Sequence, residues 1–524
     1  MHIEIELANY CEHDVALCEQ IFGAFMLRVD PVTRLSQGPY PTKELRLIDM
    51  TVRMYTDPVL VLDTLMLQDA IKEDKTKMEA ALARAGVDEA TLASNAHFAT
   101  ALQALGVQPP EKKSKVTSRM AFAFAKNDAM FQQLLNGDDE DVSLLCEARL
   151  RVKSTTVRTR AQRFVDIASR GPLPVPLSYY GASTGRWTAA KGSSINMQNL
   201  KRGSALRRAI MAPDGYLLCV GDLSQIEPRV LAWLADYHSM LSIFKAGGDP
   251  YATFGSTMFN VPGMTKESHP LLRQSAKSAM LGAGYQLGWS SFAGQLLTGF
   301  LGAPPVRYIK ADAKQLGVTA QDGIEFLDNR DNVQRMKDIA HTCTEEELLV
   351  HCLAAKAIID KFRAAASPVV EFWDLLGTML TECLLGGREY THKGVLHFRK
   401  HAIEMVNGME IRYPDMQLER DDKGRPQYTY NDGKKRVKLY PGKICNNVTQ
   451  GLSRIVMSDG LLRVQKRYRV LGTVHDEGIN LVPESDREVA PPWVLAQMIT
   501  VPKWLPGIPL NADVGIARRY GEAK

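Results

Sequence analysis

Two short apolar runs, Leu217-Leu218-Cys219-Val220 and Val470-Leu471-Gly472-Thr473-Val474, each lead into an aspartate, Asp222 and Asp476, and about 250 residues separate them. Apolar runs of this length, bounded by turn residues, predict buried strands. The second run turns through His475-Asp476-Glu477-Gly478 into Ile479-Asn480-Leu481-Val482, the outline of a hairpin. Only the fold can join two aspartates so far apart in the chain. Read alone, a strand-end aspartate is most often a turn or cap residue. Two together have a further use, because hard divalent cations take carboxylate oxygens and leave positions open for water and phosphate. At neighbouring strand ends they can hold two ions ~4 Å apart, clamping the attacking and leaving oxygens of an in-line phosphoryl transfer.

The rest of the chain frames these strands. Residues 1 to about 23 have the pattern of an amphipathic helix, and Pro31, Gly38, Pro39 and Pro41 then mark a joint. Leu60 to Leu105 reads as a helical arm closed by Pro109-Pro110. Two basic clusters follow, Lys112, Lys113, Lys115, Arg119 and then Arg149, Arg151, Lys153, Arg158, Arg160. One such cluster is as readily a solvated face, but two flanking one arm favour a phosphate backbone. After Pro172 the character is mixed α/β, with a helix expected from Pro228 and a helical block from about Leu241 to Leu385. A hairpin with Asn431-Asp432-Gly433 as its turn comes next. The net charge of +5 is too mild to imply nucleic acid by itself. No apolar run approaches the ~18 residues of a membrane span, and Met1 to Glu6 does not resemble a signal peptide, so a cytosolic chain is expected. Eight scattered cysteines fit reduced thiols. No GxxxxGK[S/T] phosphate loop occurs, which argues against a motor.

Two further constellations carry chemistry. Asp222 is followed by Ser224-Gln225-Ile226-Glu227-Pro228. Proline is welcome at the first helical position and costly at the fourth, which starts the helix at Pro228 and leaves Glu227 at its cap, above Asp222. Arg273, Lys277, Leu281 and Tyr285 stand at successive four-residue steps, a slowly winding stripe on one helix. A guanidinium fork and an ammonium one turn apart suit adjacent phosphates, with apolar surface beyond for a base. The plainer reading is a surface helix with a cationic edge.

Asp222-Leu223-Ser224-Gln225-Ile226-Glu227-Pro228-Arg229 resembles motif A of the family A, DNA polymerase I-like DNA polymerases. Arg273-x3-Lys277-x4-Gly282-x2-Tyr285 resembles motif B, and Val474-His475-Asp476-Glu477 resembles motif C. Thr184-Gly185-Arg186, Gln198-Asn199-Leu200, Arg207-Arg208-Ala209, Asp249-Pro250-Tyr251 and Gln450-Gly451 resemble other blocks of the family, in phrasing most similar to bacteriophage members. The resemblance implies a right-hand fold of the α/β (α+β) class. Its thumb is expected at 61–170, its palm at 25–60, 171–236 and 431–524, and its fingers at 237–430. It implies that Asp222 and Asp476 hold two Mg²⁺ ions, with Mn²⁺ a possible substitute, and that Glu477 assists them. The incoming dNTP is assigned to Arg273, Lys277, Leu281, Tyr285, Gln225 and Glu227, the last as a steric gate against a ribose 2′-hydroxyl. Primer-template DNA is assigned to Arg186, Gln198, Asn446, Gln450 and His475. The implied activity is template-directed extension of a DNA primer. A single-subunit RNA polymerase is opposed by Glu227, and a non-catalytic DNA-binding factor by the aspartates with Arg273 and Lys277.

This sequence departs from the family at Leu223, Pro228, Gln274 and Gln286, and above all at Leu281, where an aromatic is usual. Tyr10-x3-Asp14 resembles the motif that closes the family's 3′–5′ exonuclease domain, yet only nine residues precede it. The expectation is that residues 1–24 are the tail of that domain, that intrinsic proofreading is absent, and that a separate exonuclease polypeptide docks there. His341, Cys343, His351 and Cys352 offer zinc-competent side chains, but their spacing matches no standard finger and reads as helix.

Overall fold

The structure, a computed structural model, describes residues 2–27, 38–113, 119–126, 128–193, 195–299, 304–339, 343–421 and 423–523. Helix α1 (His2–Met26) carries Ile5, Leu7, Tyr10, Ile21 and Phe22 exposed along its length. Its last turn is tied down where the Phe25 ring stacks on Tyr40, centroids 4.5 Å apart. Pro31 of the expected joint lies outside the described residues. Helix α2 (Thr42–Thr56) buries Leu47, Met50 and Met54 at three and four spacing, so 15 residues of the expected first palm segment form a helix.

Helix α3 (Thr64–Ala85) begins where Asp63 accepts from the Met66 amide at 2.9 Å and ends at Gly86, whose φ of +64° closes the last turn. It packs along α4 (Thr156–Ala168), and the two form the shaft of the helical arm. The far end of the arm has a core of its own, with Met78, Leu92, Phe98, Leu102, Phe131 and Leu145 buried together. Arg149 corrects the phosphate reading of the second basic cluster. Its guanidinium is buried under the Phe98 ring at 5.1 Å and donates to the Leu92 and Ser94 carbonyls, so this charge holds the arm together. Arg158 pairs with Asp74 at 3.1 Å. Lys112, Lys113, Arg119, Arg151 and Lys153 remain exposed, and Lys115 lies outside the described residues.

The floor of the molecule is an antiparallel sheet of β1 (Tyr216–Leu223), β2 (Arg469–Val474), β3 (Glu477–Pro483) and β4 (Ala512–Ala517) in the order β2-β3-β1-β4. The two aspartate-bearing runs thus share one sheet, separated by β3. Between β1 and β2 lie α5 (Ile226–Leu234), α6 (Pro250–Phe259), α7 (Pro270–Ala283), α8 (Glu345–Ala365), α9 (Ser367–Met379) and α10 (Pro441–Val464), and α11 (Ala490–Met498) precedes β4. Gly221 and Gly478 are register partners on one face of the sheet. A Cβ on Gly221 would lie 2.3 Å from Met498 Sδ, and one on Gly478 2.7 Å from Leu461 Cδ2. The absence of side chains there lets α10 and α11 settle onto that face. Side chains alternate along a strand, so Asp222 and Glu477, one step further and again partners, point to the opposite face.

Two expectations about the inserted block change. Helix α5 starts at Ile226, with Pro228 inside its first turn, where its missing N–H is one of the amides no helix satisfies. Between the helical block and the Asn431 hairpin the chain forms an additional antiparallel sheet, Tyr390–His392, Leu396–Arg399, Ala402–Met405 and Glu410–Arg412. The hairpin itself forms as expected, with Asn431 opposite Arg436. His351 uses both ring nitrogens within the fold: the Tyr308 amide donates to Nδ1 and Nε2 meets the Ala293 carbonyl, each at 3.1 Å. His341 lies outside the described residues.

Candidate active site

Asp222 and Asp476 meet at the end of the sheet. β2 and β3 are joined by a two-residue turn, His475-Asp476, with Val474 opposite Glu477. His475 takes the left-handed conformation at φ +53°, as such tight turns require. The Leu223 amide donates to the Asp476 carbonyl at 3.0 Å, which locks the turn against the end of β1. Burial first, and then the Glu227 and Asp222 carboxylates, push the Asp476 carboxyl up to about 6 against the pull of Arg186. Carboxylates crowded in this way favour a cation between them. Among the described residues no group of three or more His, Cys, Asp or Glu is arranged to hold a metal ion. Two carboxylates are nevertheless the donor set of a hard cation whose remaining ligands come from water and substrate.

Two arginines partner these carboxylates. Arg202 Nη2 lies 3.2 Å from Asp222 Oδ2. Arg186 donates to Glu227 and reaches Asp476 at 3.4 Å. Glu477 does not join them. It is 3% exposed, held by Arg207 at 2.9 Å and by the Tyr520 hydroxyl, with the Arg207 guanidinium 3.9 Å from the Tyr520 ring centre. The residue expected to assist Asp222 and Asp476 is buried at the end of the sheet that carries them.

On α7, Arg273 and Lys277 face the site. The Arg273 Nε donates to Asp249 at 2.5 Å, and Asp249 also caps α6 by accepting from the Tyr251 and Ala252 amides. The Tyr251 ring lies beneath both cations, 5.4 Å from the Arg273 guanidinium and 6.0 Å from the Lys277 ammonium. Burial, then the Arg273 charge, lowers the Lys277 pKa. Tyr285 stands just past the end of α7, and the expected stripe continues through a turn in which the Tyr285 amide donates to the Gly282 carbonyl. The start of α10 presses on this turn: a Cβ on Gly442 would lie 2.4 Å from the Tyr285 carbonyl oxygen. The Tyr285 hydroxyl donates to Glu227 at 3.1 Å. Burial and that carboxylate together raise its pKa well above the usual phenol range. Leu281 and Tyr285 border a cavity of about 40 Å³ with Pro228, Leu231, Met280 and Val369. Gln225 adopts φ +52° ahead of α5, half-buried. A groove of about 820 Å³ lies elsewhere, between α2 and residues 170–195.

The expected DNA-contacting residues divide into two groups. Asn446 and Gln450 are half-buried on α10, while Asn447 is buried and bonded to the Tyr413 hydroxyl at 3.0 Å. His475 is exposed. Gln198 is committed to the turn: its Nε2 donates to the Thr473 carbonyl at 2.6 Å and its Oε1 accepts from the His475 amide at 3.0 Å. Both ends of the amide are used in holding His475-Asp476 in place, so Gln198 positions the turn instead of reading a base.

Residues 64–303 match the family model described as DNA polymerase family A. Over 455 residues the chain is 24% identical to the DNA polymerase of Bacillus phage SP02, an alignment covering 78% of this chain and 61% of the phage protein. Just under half of the chain is therefore similar to DNA polymerase family A. A 119-residue stretch, 22% of this chain and 14% of its counterpart, is 35% identical to the thermostable DNA polymerase I of Thermus aquaticus. The fold matches the POL domain of Pol1 from M. smegmatis, solved in complex with DNA primer-template and dNTP. That match has a TM-score of 0.59 at 19% identity and covers 95% of this chain and 72% of the other.

The chain has the fold of a polymerase domain, with the segments that resemble motifs A and C on its floor sheet and the one that resembles motif B on α7. The resemblance alone assigned no role to Arg202, Arg207 or Asp249. Arg207 and Asp249 were visible as members of family blocks, but nothing in a linear sequence says that one is buried under Glu477 and the other bound to Arg273. Arg202 had a local signal, the turn-forming run Lys201-Arg202-Gly203-Ser204. No helix among the described residues is long and apolar enough to cross a membrane.

Proposed function

We propose that this chain is a DNA-directed DNA polymerase that adds dNTPs to a primer 3′ end on a DNA template. The observation that carries the reading is the convergence of Asp222, Asp476 and Glu227 on the floor with Arg273 and Lys277 on the facing helix. Asp222 and Asp476 are the residues to hold Mg²⁺, which when bound would activate the primer hydroxyl and neutralise the phosphates. Arg273 and Lys277 grip the triphosphate, and their fixed charges stabilise the negative charge that shifts toward the leaving pyrophosphate. Glu227, tethered by Tyr285 and Arg186, closes the space beside the sugar 2′ carbon. Asn446, Gln450, Arg186 and His475 face the primer terminus, where contacts to the shared minor-groove acceptors test base-pair shape. Thumb, palm and fingers take the boundaries given above.

The test is primer extension on a recessed duplex with Mg²⁺, comparing dNTPs with rNTPs. Extension with dNTPs, lost in Asp222→Asn and in Asp476→Asn, is the expected result. Well-folded protein that binds the duplex and extends nothing would favour a non-catalytic DNA-binding role.

We further propose that residues 1–24 seat a separate exonuclease polypeptide and that the chain itself does not proofread. Support comes from the exposed apolar side chains of α1. Removing those residues is expected to abolish capture of the nuclease and leave extension intact; robust proofreading by the purified chain would refute it.

A further inference from the structure

Past the last regular turn of α7, the Gln286 amide donates to the Ala283 carbonyl at 3.0 Å and the Leu287 amide to the Gly282 carbonyl at 3.2 Å, the paired bonds of a Schellman close. The first residue beyond a helix closed in this way turns left-handed, and Gln286 does so at φ +64°. Glycine takes that conformation without strain, whereas a residue with a Cβ is kept there by what surrounds it. Tyr285, whose hydroxyl holds Glu227, is the residue before.

Gln286 is held by helix α10. Its Oε1 accepts from the Gly442 amide at 2.8 Å, 156 residues further along the chain. Gly442 is the second residue of α10, among the first four whose amides find no acceptor inside a helix. Pro441 before it has no N–H to offer, and Tyr440 makes no side-chain cap bond among the described residues. Gln286 therefore caps a helix to which it does not belong. The approach is close, because a Cβ on Gly442 would lie 2.6 Å from the Gln286 Cβ. From another side the Trp373 indole of α9 donates to the Gly284 carbonyl at 3.1 Å.

Both ends of this link carry residues of the site. Tyr285 stands on one, and on the other Gly442, Asn446 and Gln450 follow at four-residue steps, a slowly winding stripe of α10. Closing α7 alone would be served better by glycine. A side chain that accepts a strained backbone in order to reach the head of that stripe fixes the distance between the two.

We propose that Gln286 is a positioning residue, which clamps the Tyr285 turn to the head of α10 and so sets the nucleotide pocket against the residues assigned to the primer terminus. The proposal rests on the polymerase reading above. Its effect runs through Tyr285 and α10.

Gln286→Gly removes the clamp and relieves the strain of φ +64° together, so it stays folded with a thermal midpoint near that of wild type. Gln286→Glu keeps an acceptor, and its charge suits a helix N-terminus. Two quantities are measured in the full chain: hydrogen exchange of the peptide from Pro441 to Asn447, and primer extension on a recessed duplex. Gln286→Gly is expected to quicken that exchange about tenfold and lower kcat about tenfold, with KM for dNTP within about twofold of wild type because Arg273 and Lys277 keep their places. Gln286→Glu restores both exchange and kcat toward wild type. A merely structural glutamine would instead lower the thermal midpoint and leave kcat of the folded protein unchanged. If wild type binds the duplex and extends nothing, the polymerase reading has failed and exchange alone decides: quickened exchange upholds the clamp, and unchanged exchange overturns it. Where wild type extends, either exchange or kcat of Gln286→Gly at the wild-type value overturns the proposal.

Discussion

Glu227 accepts a hydrogen bond from the Tyr285 hydroxyl at 3.1 Å while its other oxygen takes the Arg186 guanidinium. One carboxylate thus joins the strand end that carries Asp222 to the turn that follows the α7 stripe. Because Arg186 also reaches Asp476, the same guanidinium couples the position of Glu227 to that of Asp476.

Glu227→Ala is expected to open the space beside the sugar and lower discrimination against rNTPs by roughly tenfold or more, read as the ratio of kcat/KM for dNTP and rNTP. Tyr285→Phe keeps the ring and deletes only the tether, so it should relax discrimination less. Equal discrimination in wild type and Glu227→Ala would remove Glu227 from the nucleotide site.

Glu477 and Arg207 form a buried pair, and removing one charge leaves the other without compensation. Glu477→Gln is expected to cost about 3–5 kcal/mol of unfolding free energy, measured by urea denaturation. At a temperature where it remains folded, extension should persist, because no open face of Glu477 meets substrate. Complete loss of activity at unchanged stability would return Glu477 to the catalytic set.

Burial lowers the His351 pKa, although the Ala293 carbonyl bond opposes this. The folded imidazole resists a proton that the unfolded chain accepts near pH 6.5, so the unfolded state binds more protons as pH falls. Stability is therefore present above about pH 6.5 and lost below it, with a slope of up to about 1.4 kcal/mol per pH unit from this group. His392, buried with its Nε2 on the Leu234 carbonyl, adds in the same sense. Urea midpoints between about pH 6.5 and 5.5 should fall in wild type and fall less steeply in His351→Gln. An unchanged slope would show that the imidazole is already charged in the fold.

Leu281 stands where an aromatic would give a flat stacking surface. Leu281→Phe directs a ring toward the small cavity it shares with Tyr285, and stacking of about 0.5–1.5 kcal/mol corresponds to a KM for dNTP lowered roughly two- to tenfold. A raised KM would mean that the cavity cannot admit the ring.

The parts of the site legible in the sequence were those with fixed local spacing. The aspartates at two strand ends and the four-residue steps from Arg273 to Tyr285 follow from periodicity and family motifs, whereas Asn446 and Gln450 came from the resemblance alone. What the sequence hid was orientation. Asp476 and Glu477 are consecutive, yet the first lies in the turn at the site while the second, on β3, is sealed under Arg207 and Tyr520. Arg149 looked like its cationic neighbours until the arm wrapped it under Phe98. Gln198 carried a motif's identity but not its partners, which come from a turn 275 residues away. The sheet from Tyr390 to Arg412 was missed because its strands are three or four residues long, too short for alternation to register.

The separate core at the far end of the arm has a consequence for how this chain can change. Met78, Phe98, Phe131 and their neighbours pack on one another and not on the floor. Substitutions there can loosen or stiffen the arm while Asp222 and Asp476 keep their places. Under the polymerase reading proposed above, hold on a template and rate of nucleotide joining would then be separately heritable traits, written in different stretches of the same gene.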